Sequence, residues 1–93
     1  MDVEKTGRRL AVRLRRDFNL LTARKVERLA ADADEIHLDL SRSRIVDSEA
    51  LIVLVKLVQA GKRVKLYHPP ALLGETIHIL GLESVLDLEA LVA

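Results

Sequence analysis

Apolar and polar residues alternate over residues 8–15, where Leu10, Val12 and Leu14 interleave with Arg9, Arg13 and Arg15. A period of two is that of a strand with one face in a core and the other solvated or close to a sheet edge. The period then lengthens. In "LTARKVERLAA", Leu21, Val26, Leu29 and Ala30 fall at helical spacing, which predicts a short helix with those four residues inward. "EIHLDL" alternates again as a second strand, and residues 47–60 predict a central helix. Gly61 ends that helix as a C-terminal cap, and "RVKLY" follows as a third strand. "HPP" opens a further helix, "ALLGETIHIL", ended by Gly81, whereas the pattern of "LESVLDLEALVA" fits a strand and a helix equally. Residues 1–7 precede the first of these elements and are expected to be flexible.

Strands alternating with helices predict an α/β domain, and 93 residues suit a single domain, 1–93, with one small core. Strands 35–40 and 63–67, joined by the central helix, form a β-α-β unit with parallel strands and a right-handed crossover. The loop "SRSRIV" and the start of the central helix therefore lie at the carboxyl end of the second strand. Open α/β sheets place their ligand and partner sites there.

On the central helix, Ala50, Leu51, Leu54, Leu57 and Val58 share one broad face at 100° per residue and must pack on the sheet. Ser48, Glu49, Lys56 and Gln59 lie opposite, and Ile52 falls in the middle of that polar stripe. An exposed aliphatic residue one turn beyond Ser48 is what a protein-binding surface presents, although single exposed apolar residues are also common on any surface. Asp47 and Ser48 stand together at the helix start, where either alone suffices as a cap. A phosphate on Ser48 would be tolerated by the helix itself, with a favourable dipole contribution of about 0.3–1 kcal/mol. For a partner docked on that face, an added charge of about −2 would have to be desolvated or paired.

Composition narrows the chemistry. Apolar residues make up 49% of the chain and charged residues 31%, with Phe18 and Tyr67 the only aromatic residues and no cysteine. This is the balance of a soluble globular protein with an aliphatic core, suited to a reducing compartment. "MDVEKTGRRL" lacks the apolar region of a secretory signal. The longest apolar run, "ALIVLV", falls far short of the roughly 20 residues of a membrane span. A cytoplasmic protein without membrane insertion is expected. The net charge of +1 is unevenly spread: residues 1–25 hold eight Lys or Arg against three acids, and residues 26–50 hold three against seven. The arginines of 8–15 alternate with core positions, as on a solvated strand, and no aromatic platform or nucleic-acid motif accompanies them, so no nucleic acid is expected. His37, His68 and His78 provide no i, i+4 metal pair, "AGKRVK" is not a P-loop, and no Ser, His and Asp arrangement has a supporting motif. No cofactor, metal site or catalytic residue is expected, and the chain does not read as an enzyme.

The stretch "IHLDLSRSRIVDSEALIVLVKLVQAGKRVKLYHPPALLGETIHILGLESVLDL" resembles the STAS domain of bacterial anti-sigma factor antagonists. That family shows a strand ending in Asp-Leu, an Asp-Ser-Ser-Gly-Leu helix start, a basic turn into the next strand and a Gly-Leu near its end. The corresponding stretches are "LDL", "DSEAL", "GKRVKL" and "LGL". Coverage runs over about residues 8–88, with the best agreement after residue 35. The resemblance implies a STAS-like domain with helices packed on a mixed β-sheet. Asp47 would match the acid before the phosphoacceptor, and Ser48 the serine phosphorylated by a partner kinase. Thr22 and Ala23 resemble the Thr-Ala of the family's first helix, and Asn19 stands where an Asp is common. Glu49 replaces a serine and Ala50 a glycine of the usual motif.

The function implied by the resemblance is that of a non-enzymatic regulator of transcription. The unmodified antagonist binds an anti-sigma factor, which is also its serine kinase, and loses that grip once phosphorylated. Partner contacts are expected at Asp47, Ser48, Glu49, Ile52, Lys56 and Asn19. STAS domains also serve as subunits of ABC-type phospholipid transport systems, docking on the ATPase or permease, and as parts of multimeric signalling scaffolds. Those are the alternatives.

Overall fold

Strands form where the sequence alternates and helices where the period lengthens. In chain order the elements are β1 (Asp2–Thr6), β2 (Arg9–Arg13), α1 (Leu20–Leu29), β3 (Glu35–Asp39), α2 (Ser48–Gln59), β4 (Arg63–Tyr67) and α3 (Ala71–Ile79). This computed structural model describes residues 1–44, 46–79 and 81. The ambiguous segment "LESVLDLEALVA" lies outside the described residues. The four strands make one mixed sheet in the order β1-β2-β3-β4, with β1 antiparallel to β2 and the other two pairings parallel.

The register divides the sheet into two chemically different faces. Leu10, Ile36 and Val64 align in one row and Val12, Leu38 and Leu66 in another, and every one of the six is buried. Each such aliphatic side chain contributes about 1.5–3 kcal/mol through burial. The alternate residues point the other way, as the rows Arg9–Glu35–Arg63, Ala11–His37–Lys65 and Arg13–Asp39–Tyr67.

Two crossovers, β2-α1-β3 and β3-α2-β4, step across the sheet in the same direction, so a common hand carries both helices to one face. Ala23 and Val26 of α1 and Ala50, Leu51, Val53, Leu54 and Leu57 of α2 are buried in the core they share with the aliphatic rows. Leu73 and Ile77 of α3 enter the same core. Gly61, at φ 90°, carries the chain out of α2, and its N–H donates to the Val58 carbonyl at 2.9 Å. That left-handed conformation is one a glycine adopts without steric cost.

Two expectations are corrected. Residues 1–7 are not a flexible lead: Asp2–Thr6 form β1, fully registered on β2 from Asp2 opposite Arg13 to Thr6 opposite Arg9. Gly7, at φ 60°, closes the turn between the two strands. All five β1 residues are exposed, because an edge strand with a single apolar residue, Val3, has little to bury, and its alternation is correspondingly faint. Leu21 does not point inward either, being 67% exposed. The inward face of α1 is set by Ala23, Val26 and Ala30, and at 100° per residue Leu21 falls roughly opposite to it. Leu20 takes the inner position and is half-buried against the core.

Candidate protein-docking site

The starts of α1 and α2 lie side by side. Phe18 and Val46 form an isolated parallel bridge, and the Asp47 N–H donates to the Phe18 carbonyl at 3.0 Å. The loop before α2 is held to the segment before α1 by two further bonds. Ser43 Oγ donates to the Arg16 carbonyl at 2.6 Å, and the Arg44 N–H donates to Asp17 Oδ1 at 2.8 Å. Ser43 is buried, so the second serine of "SRSRIV" serves to hold the loop.

The two helix starts differ in how they are capped. Asn19 closes α1 in the ordinary way: its Oδ1 accepts from the Thr22 N–H at 2.9 Å and from Thr22 Oγ1 at 3.1 Å. Asp47 occupies the cap position of α2 in an extended conformation, yet its side chain makes no capping hydrogen bond. The carboxylate still favours the positive end of the helix dipole but does not itself accept from the amides of the first turn. Ser48, the first residue of α2, is exposed beside it, as are Asp47 and Glu49.

From this start runs an exposed line along α2. Ile52, one turn beyond Ser48, is 54% exposed, and Lys56, one turn further, is also exposed. Beside that line α1 and α2 enclose a groove of about 720 Å³, lined by Leu20, Leu21, Arg24, Glu27, Arg28, Glu49, Ile52, Val53 and Lys56. A smaller cleft on the other side of Leu21 is lined in part by Asn19, Arg16 and Lys25. The structure thus brings Glu49, Ile52 and Lys56 into one groove, places Asp47 and Ser48 at the end of the helix that forms it, and sets Asn19 in the neighbouring cleft. It adds the α1 half of the surface, Leu21, Arg24 and Arg28. The helical period of α1 carried the signal for Leu21, but the true phase emerges only once Ala23 and Val26 are seen to face the core.

Across the sheet, several charges of the bare face are paired. Arg13 Nε donates to Asp39 at 3.2 Å, and Arg15 binds both carboxylate oxygens of Asp2, at 2.8 and 3.3 Å. Glu35 Oε1 lies 2.7 Å from His37 Nε2, and Tyr67 Oη lies 2.6 Å from His37 Nδ1, with the two rings stacked. A carboxylate can only accept, so Nε2 donates to Glu35, and in the neutral ring Nδ1 accepts from the Tyr67 hydroxyl. These contacts show in the acidities. The hydrogen bond from His37 holds the Glu35 carboxyl below its ordinary range, as the Arg15 contact does for Asp2. At Asp39 partial burial pulls upward, but bonds from Ser41 and Arg13 outweigh it and the net shift is down. Among the described residues no cluster of His, Asp and Glu could hold a metal ion, and no helix is long and apolar enough to cross a membrane.

The arrangement offers shape and charge for a partner. No curated protein matches the chain. The fold is similar to that of the protein TM1081, solved by NMR, at a TM-score of 0.68 and 18% identity over 90% of this chain and 75% of that one. The family model described as "Mlab, STAS domain" matches residues 1–92, and the chain belongs to the STAS domain family.

Proposed function

We propose that the chain is a non-enzymatic regulatory module of the cytoplasm, an anti-sigma factor antagonist that works by partner switching controlled through phosphorylation of Ser48. The observation that carries this reading is the exposed Ser48 at an α2 start whose Asp47 makes no capping bond, one turn from the exposed Ile52 of the α1–α2 groove. The unmodified hydroxyl is small and neutral, and a partner covering Ile52 can lie over it. Phosphorylation adds about −1.5 to −2 charge. The α2 dipole accommodates it within the domain, whereas a docked partner must desolvate or neutralise it, and the neighbouring Glu49 makes that harder. Asp47, Glu49, Ile52, Lys56 and Asn19 are the accompanying contacts.

A second reading uses the same surface. As the STAS subunit of an ABC-type phospholipid transport system, the chain would dock this helix on an ATPase or permease, with Ser48 a permanent hydroxyl of the interface. Glu49 and Ala50, standing where phosphorylated relatives of the resembled group have Ser-Gly, favour this reading. Affinity capture with the wild-type protein and with Ser48→Asp, followed by mass spectrometry, separates the two. Switching requires a kinase-type anti-sigma factor on the wild type alone. A transporter ATPase or permease on both forms, or no kinase on either, contradicts it.

A further inference from the structure

Resting on the reading of this surface as the docking face, we infer that the segment it receives is an acidic amphipathic helix of the partner protein. Two exposed aliphatic residues, Leu21 at 67% and Ile52 at 54%, stand on the two helices that enclose the groove, with Leu20 and Val53 among its lining. An apolar stripe seated along a groove between two helices is the way an amphipathic helix is received. Charge supplies the rest. The groove is lined by three cations, Arg24, Arg28 and Lys56, against two acids, Glu27 and Glu49, and the cleft beside Leu21 adds Arg16, Lys25 and the Asp2-paired Arg15, six cations in all.

Among the described residues, only Arg15 of those six forms an ion pair, with Asp2. The other five cations therefore form no ion pair among the described residues, whereas Arg13 of the bare sheet face is paired with Asp39. Carboxylates on the flanks of an incoming helix complement them, while lysines would face like charges, each such mismatch acting against the wrong partner. An anionic bilayer would also be drawn to these cations. It cannot follow a concave groove, however. An acidic occupant also gives the site at Ser48 a direct sign: a phosphate at the groove's end would repel the segment the groove attracts.

The test uses the full chain, labelled with nitrogen-15, and two synthetic helical peptides about four turns long. They share one leucine stripe and carry either Glu or Lys on its flanks. The Glu peptide is expected to shift the amide resonances of α1 and α2 around Leu21 and Ile52 and to bind roughly tenfold or more tightly than the Lys peptide. Its affinity should fall several-fold between about 50 and 200 mM salt. Reversing the charges with Arg24→Glu and Arg28→Glu together should abolish or invert the preference, with the fold checked by circular dichroism. Binding of neither peptide overturns the inference, as does equal or stronger binding of the Lys peptide or binding on the outer sheet rows. Uptake by phosphatidylglycerol vesicles without peptide binding assigns the cations to a membrane instead. Two results distinguish this inference from the function it rests on. If the Glu peptide binds equally to Ser48→Asp, switching fails and the partner chemistry stands; if neither peptide binds while Ser48→Asp still loses its captured partner, the reverse holds.

Discussion

The two faces of the sheet handle charge differently. On the bare face, basic and acidic residues alternate from strand to strand, as in Arg9–Glu35–Arg63, and Arg13, Asp39, Glu35, His37 and Tyr67 form bonds within it. Cross-strand opposite charges of this kind stabilise the sheet modestly. On the helical side, the core is aliphatic, yet the outer surface of α1 and α2 carries cations that form no ion pair among the described residues, around two exposed aliphatic residues. A region that satisfies itself is there for stability, and one that leaves apolar area and charge open is suited to association.

The contrast can be broken by mutation, and the largest effect is expected beneath the helices. Leu38→Ala, in the inner row, should cost about 2–5 kcal/mol in urea unfolding. Ile52→Lys, on the outer line of α2, should change stability by less than about 0.5 kcal/mol while weakening partner binding by about 1.5–3 kcal/mol. A large loss of stability in Ile52→Lys would make Ile52 a core residue and remove it from the docking face. On the bare face, Tyr67→Phe takes the donor from the buried His37 Nδ1 and should cost about 1–3 kcal/mol, with no effect on partner binding in the same titration.

Smaller effects sharpen the comparison between the two helix starts. Asn19→Ala removes a formed cap and should cost about 1 kcal/mol, whereas Asp47→Ala loses a dipole interaction of only about 0.3–1 kcal/mol. Thermal unfolding of the pair should therefore rank Asn19→Ala as the more damaging.

The smallest and most diffuse effect is acid sensitivity. Hydrogen bonds from Arg15, Lys5, Arg8 and His37 hold Asp2, Asp32, Asp34 and Glu35 respectively below their ordinary range, and Asp39 is also lowered. A carboxyl with a lower pKa folded than unfolded stabilises the fold above its unfolded pKa and ceases to do so as pH falls through the folded one. Stability measured by urea unfolding should be level in this respect above about pH 5 and decline below about pH 4. The decline should shrink in high salt, because these pairs are mostly exposed.

Much of this was legible in the sequence wherever burial imposes a period. β3 and β4 alternate cleanly because both their inner rows are buried, and α2 shows its broad aliphatic face for the same reason. β1 was not legible. Its side chains are exposed throughout, and its place is fixed by backbone pairing with β2, which leaves no mark on side-chain choice. Leu21 misled because an exposed leucine reads as a core residue when it lies in a helical pattern. The α2 half of the candidate site followed from the odd position of Ile52 in a polar stripe. The α1 half needed tertiary structure, since nothing local in "LTARKVERL" says that Arg24 and Arg28 will border Ile52. That Asp47 caps by position alone, while Asn19 makes its bond, could likewise not be read from residue types, because both are good caps.

The central claim is that association uses the α1–α2 face and leaves the bare sheet face free. Its most direct measurement is an amide-resonance titration of the nitrogen-15 protein with the partner identified by capture. The account expects shifts over α1 and the exposed line Ser48, Ile52 and Lys56, with the outer-row positions Arg9, Arg13 and His37 unmoved, and expects those shifts to be lost in Ile52→Lys. Shifts concentrated on β1 and the outer rows, with α1 and α2 silent, would contradict it.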